Sequence, residues 1–123
     1  MWTRAWPEAD VGAIADLYSP AAVFHSQAFR DHQSPRAYVE AVFADQAEAE
    51  CRFGRPVVAG DRAAVDWWGV ITSKDGSVET IAGTSLLAFD DLGLVVEQRD
   101  AWASVDGRRG LPHWAPASTE AGR

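Results

Sequence analysis

From about residue 51 to residue 107 the chain repeats one pattern, a β-type apolar run followed by a short turn rich in Gly and Asp. The runs fall at about 51–59, 63–72, 78–89 and 94–104. They are closed in turn by Gly60-Asp61, Lys74-Asp75-Gly76, Asp90-Asp91-Leu92-Gly93 and Asp106-Gly107. Gly and Asp tolerate the tight or left-handed backbone that such connections need. Connections this short join antiparallel neighbours, because a parallel crossover takes a dozen residues or more. The second half therefore predicts an antiparallel meander.

The first half reads as helical. Pro7 suits the first helical position, and Glu8 and Asp10 follow where the helix dipole favours acids. Val11, Ile14, Ala15, Leu17 and Tyr18 recur at helical spacing, and Ser19-Pro20 ends the run. Residues 22–30 predict a short strand or hairpin. Ser34-Pro35 is an N-cap with proline behind it, and Tyr38, Val39, Val42 and Phe43 form a second apolar stripe. That helix is expected to end between 46 and 50. Helices first and strands after predict an α+β fold rather than alternating β and α units.

At 123 residues the chain has room for one domain. It is expected over 1–107, with an irregular tail at 108–123 that Trp114 anchors. The net charge of −7 disfavours nucleic acid and anionic membranes as partners, since both attract basic surfaces. The single cysteine, Cys51, forms no disulfide framework and no Cys-based zinc cluster. The only lysine, Lys74, sits in a turn, where Schiff-base chemistry finds no desolvated amine. Glycine-rich nucleotide cradles and the GxSxG elbow do not occur. No apolar run is long enough for a membrane span and no leader pattern opens the chain, so a cytoplasmic location is expected.

Alternation along the strands separates inner from outer faces. In the last run Leu94, Val96, Gln98, Asp100 and Trp102 share one face, apolar at first and then polar. A core running into a pocket has this pattern. Ile81, Gly83, Ser85, Leu87 and Phe89 continue it. In the second run both parities are largely apolar, so both faces are expected to be covered, the second by a homodimer partner. Asp66 and Trp68 are assigned to the pocket side.

The chain resembles the NTF2-like superfamily, and within it the SnoaL-like group, over nearly its whole length. The resemblance rests on residues 10–18 (DVGAIADLY) with 19–24 (SPAAVF), then on residues 83–89 (GTSLLAF) with 93–100 (GLVVEQRD). It implies a curved sheet wrapped around helices to form a cone with a deep pocket, and homodimers through the sheet. It also implies activities as varied as isomerase, cyclase, dehydratase, hydrolase and non-catalytic adaptor. Against ketosteroid isomerase, a distant relative, His25 falls at the position of the base, Ser85 at that of the protonated acid, and Gln98 and Trp102 on the pocket wall. The chain thus lacks both isomerase carboxylates, which argues against that activity. SnoaL-type cyclases use a pocket aspartate as acid/base, and Asp100 matches that role.

The candidate catalytic residues are therefore His25, Asp100 and Asp66. His25 titrates near neutrality when unperturbed. Asp100 is a carboxylate costly to bury without a partner. Asp66 is a second carboxylate that would split the titration of the first. Tyr18, Trp6, Trp68, Ser85, Gln98 and Trp102 are expected to bind the ligand. The spacing of His25, His32 and His113 matches no metal-ligand pattern, so neither metal nor cofactor is expected. Two readings follow: cofactor-free acid/base chemistry on a small, largely apolar, oxygen-bearing molecule, or a non-catalytic module that binds a ligand or another protein.

Overall fold

The computed structural model describes residues 11–26, 31 and 33–115. The order is α1 (Val11–Ala15), β1 (Tyr18–His25), α2 (Pro35–Asp45), β2 (Gln46–Phe53), β3 (Val57–Ala59), β4 (Arg62–Ser73), β5 (Val78–Phe89) and β6 (Val95–Asp106). The six strands form one curled sheet in the order β1-β6-β5-β4-β2, with β3 paired to β4. All pairings are antiparallel except β1 on β6. The helices lie in its concavity, which is the expected α+β cone. Among the described residues no helix is long and apolar enough to cross a membrane.

The turns work as their residues predict. Gly76 and Gly93 take φ of 89° and 81°, a region closed to most side chains, and each closes a hairpin between long strands. Ser34 caps α2 by accepting the Ala37 N–H at 3.2 Å, with Pro35 at the helix start. One face of α2 then buries Val39 and Phe43 against Ile14, Tyr18, Ala22 and Val95. Each fully buried side chain of this kind contributes roughly 1.5–3 kcal/mol. Phe24 and Tyr38, with ring centroids 4.5 Å apart, fasten β1 to the same helix.

Four features differ from expectation. Tyr18 opens β1 instead of closing a helix, and Ser19-Pro20 lies inside that strand. Because β1 is the sheet edge, Pro20 is exposed there and its missing N–H costs no ladder bond. Next, α2 ends at Asp45 and the helix-compatible stretch from Gln46 becomes β2, because it pairs along β4 from Gln46 to Phe53. The run read as 51–59 is accordingly split between β2 and β3. Finally, a bulge between Ala88 and Phe89 on β5 leaves Val96 as the extra residue of β6. It shifts the alternation by one, so Val95 enters the core at 5 % exposure and Leu94 and Val96 do not share the inner face of Gln98.

The outer face of β4 is covered within the chain itself. Trp68 and Val70 are buried on it. Thr80, beside Val70, donates its hydroxyl to the Gly107 carbonyl at 2.6 Å and accepts the Arg109 N–H at 2.9 Å. On the other side of Val70, Glu50 holds Arg108 at 2.8 Å. Further along, the Trp114 ring lies against Gly54, whose N–H donates to the Asp66 carbonyl. The segment after β6 is thus held at Thr80 and Glu50, the two neighbours of Val70, and at Gly54, with Trp114 as its far anchor.

Of the described glycines, Gly83 has the least room for a side chain. A Cβ there would stand 2.4 Å from the Ala101 carbonyl oxygen and 2.7 Å from Trp102 Cβ. Gly83→Ala should therefore cost about 1–3 kcal/mol through backbone displacement. A fall in Tm of several degrees on thermal unfolding checks this.

Candidate functional site

The concave face holds a partly open cavity of about 1050 Å³ among the described residues. Its wall is mainly apolar and aromatic, with Phe24, Phe53, Trp67 and Trp102 contributing rings. Sheet register sets the order of the wall. Leu87 pairs with Gln98, Ser85 with Asp100 and Val65, and Gly83 with Trp102 and Trp67. One step along the strands therefore separates a polar row from an aromatic one.

The polar row is one hydrogen-bonded cluster. Ser85 donates its hydroxyl to Asp100 Oδ1 at 2.6 Å, and the Gln98 amide donates to the same oxygen at 2.9 Å. Gln98 Nε2 also reaches Ser85 Oγ at 3.3 Å. The Trp67 indole N–H donates to Ser85 Oγ at 2.9 Å, and the Tyr18 hydroxyl donates to Gln98 Oε1. Behind it, the Trp102 indole N–H donates to the Ser26 carbonyl.

Two consequences follow. Both bonds to the carboxylate land on Oδ1, so Oδ2 accepts no hydrogen bond among the described residues, and Asp100 lines the cavity. The donors of the cluster are all spent on protein acceptors. Burial pushes the Asp100 carboxyl above the usual carboxylate range, opposed in part by the Ser85 and Gln98 hydrogen bonds. Burial chiefly, with the charge of Asp100, pushes the Tyr18 phenol up, so it stays protonated. The Cys51 thiol, also on the wall, is pushed up to about 12 by burial and is no nucleophile at neutral pH.

The structure brings together Asp100, Ser85, Gln98, Tyr18 and Trp102 of the residues singled out from the sequence. His25 is not among them. In β1 it is Phe24, opposite Gln98, that lines the cavity, while His25 stands opposite the exposed Arg99 on the outer side. Asp66 is likewise exposed on the outer side, where it accepts the Thr84 hydroxyl at 2.8 Å. Trp68 borders the cavity but shares the parity of Asp66, and the indole that reaches the cluster is that of Trp67. Trp6 lies outside the described residues.

The Ser85 hydroxyl holds the cluster together, and Ser85→Ala should cost about 1–3 kcal/mol by orphaning the Trp67 N–H and removing a donor from Asp100. The pH sign follows from linkage. The raised Asp100 value means that the fold prefers the protonated form, so its destabilisation is present above the folded pKa and vanishes as pH falls below the unfolded one. Loss of Ser85 raises the folded value further. The Tm deficit of the variant should therefore shrink from neutral pH to mild acid.

Comparisons with known proteins agree with this architecture. The sequence matches the profile described as SnoaL-like domain over residues 1–98. No curated protein matches the chain. Among solved structures, it is similar to SalBIII, an epoxide hydrolase/cyclase-like enzyme of pyran ring formation in the polyether salinomycin (TM-score 0.72, 19% identity, covering 83% of this chain and 84% of that one). It is also similar to a ketosteroid isomerase-like protein from Catenulispora acidiphila in complex with trimethylamine (0.70, 14% identity, 81% and 80%). A third is an NTF2-like protein of unknown function from an Exiguobacterium species (0.68, 18% identity, 83% and 94%). At these identities the likeness establishes the fold, an NTF2-like α+β cone.

Proposed function

The chain belongs to the SnoaL-like domain family, and from that membership we propose that it binds a small, largely apolar molecule with an oxygen function and acts on it by cofactor-free acid/base chemistry. The observation that carries the reading is the Asp100 carboxylate on the cavity wall, whose Oδ1 takes both hydrogen bonds and whose Oδ2 takes none among the described residues. Proton traffic then runs through Oδ2. A carboxyl whose proton affinity burial has raised is a stronger base than a solvated one and is suited to return the proton afterwards. Ser85 and Gln98 hold its plane, and Tyr18, through Gln98, holds theirs.

The cluster offers an acceptor and no free donor. That suits removal of a proton from a hydroxyl or a water, with attack of the resulting oxygen nucleophile, better than stabilisation of an enolate oxyanion, which needs donors aimed at the substrate. Water addition to an epoxide and ring closure by an internal hydroxyl are both of this type: the new C–O bond forms as an epoxide C–O bond breaks, and the proton taken up by Asp100 returns to the alkoxide released. The kinship in fold with an epoxide hydrolase/cyclase-like enzyme supports the same choice. The competing reading, a binding module without turnover, uses the same cavity with Asp100 as a recognition group.

Asp100→Asn decides between them. Turnover of small hydroxy-epoxides should fall by at least about 100-fold, while Tm at neutral pH holds or rises, because the costly buried charge is gone. The acid limb of kcat/KM should lie above the ordinary carboxylate range, since the base works only when deprotonated and burial has raised its pKa. Retained turnover in the variant would overturn the catalytic role. Ligand binding in the absence of any turnover would favour the module.

A further inference from the structure

The cavity carries a charge asymmetry. The acidic residues on its wall are Asp100 within, and Asp45 and Glu79 at the exposed end. Asp45 is also the last residue of α2, where the helix dipole adds negative potential. Glu79 lies directly opposite Asp106 on β6. Among the described residues no Arg, Lys or His lines the cavity. Arg55, exposed between the lining residues Gly54 and Pro56, and the exposed Arg109 are not part of the wall. Arg52 and Arg108 pair with Glu50 on the outer face, and Arg36 pairs with Glu40 on the exposed side of α2. Arg62 and Arg99 border a small cleft on the outer face, and Lys74 is in the exposed β4–β5 turn.

The aromatic row adds a second, independent constraint. The indole N–H groups of Trp67 and Trp102 are committed to Ser85 Oγ and the Ser26 carbonyl. Toward the cavity these rings therefore present π faces and edges, not donors. They stand one register step from Asp100, about 7 Å along the strands. Negative π faces beside a carboxylate, on a wall with no basic group among the described residues, complement a cation.

We propose that the ligand of this cavity is a hydrophobic amine, a ring-bearing molecule whose protonated nitrogen rests on the Trp67 and Trp102 faces beside Asp100. The proposal rests on the reading of Asp100 as the working carboxylate and adds the charge of the ligand to it. The ammonium occupies the aromatic row, and Oδ2 remains the acceptor for the hydroxyl or water of the reaction. Carboxylate and phosphate ligands are disfavoured, because each would meet three acids and no basic group among the described lining residues.

The test is a matched series on one skeleton: 2-naphthylmethylamine, 2-naphthylmethanol and 2-naphthoate, titrated calorimetrically into the full chain at neutral pH. The amine should bind about tenfold or more tighter than the alcohol, with no detectable binding of the naphthoate. In Asp100→Asn the ratio of amine to alcohol affinity should collapse toward one, whatever the substitution does to the alcohol itself. In Trp67→Leu the ratio of amine to alcohol affinity should also drop, a readout that is internal to each variant and independent of its stability. An alcohol that binds as tightly as the amine, or a naphthoate that binds at all comparably, would overturn the cationic ligand and leave the acid/base reading standing. Failure of all three to bind would overturn both.

Discussion

A carboxylate taken out of water into apolar surroundings costs several kcal/mol unless hydrogen bonds hold its charge, and the organisation around Asp100 follows from that constraint. Its donors come from two strands, Ser85 on β5 and Gln98 two residues away on its own β6. Each donor is oriented in turn from further off, Ser85 by the Trp67 indole on β4 and Gln98 by Tyr18 on β1. Four strands are thus tied to one carboxyl oxygen. The cluster is a polar core inside an apolar one, and its satisfaction depends on the register of β4, β5 and β6 being right to the residue.

That register was partly legible in the sequence. The turns at Gly76 and Gly93 bound strands β5 and β6 closely, and the alternation of Gln98, Asp100 and Trp102 against Ser85 and Leu87 gave the polar row correctly. Strand β4 was harder, because both of its parities are apolar and hydrophobicity cannot choose between them. The β4–β5 turn carries the missing signal. Counting outward from it pairs Thr72 with Val78 and hence Val65 with Ser85, which sends Val65 and Trp67 inward and Asp66 outward. The bulge at Val96 left no such mark, and it is why Val95 rather than its neighbour fills the core. For His25 the signal is plain alternation: Tyr18, Ala22 and Phe24 share one parity of β1 and are buried, which leaves His25 on the other.

The second apolar parity of β4 has its own explanation in the fold. Trp68 and Val70 need cover, and the segment after β6 supplies it through Thr80, Glu50 and Gly54. An apolar strand on both faces is therefore compatible with burial inside one chain. Of the two tryptophans at 67 and 68, the first gives its indole N–H to the polar cluster, and the second, which also borders the cavity, is buried with the parity of Val70.

The donor inventory is what narrows the chemistry. A pocket that stabilises a developing oxyanion keeps hydrogen-bond donors unspent and aimed at the substrate. Here the hydroxyls of Tyr18 and Ser85, the Gln98 amide and both indole N–H groups are turned toward protein acceptors. What remains for a ligand at that end is one acceptor oxygen and the faces of aromatic rings. On the proposed reading, the ligand brings its own hydrogen to that oxygen and its positive charge to those rings. The superfamily fold is compatible with many reactions, but this arrangement of spent donors points toward proton removal from a nucleophile and away from enolate chemistry.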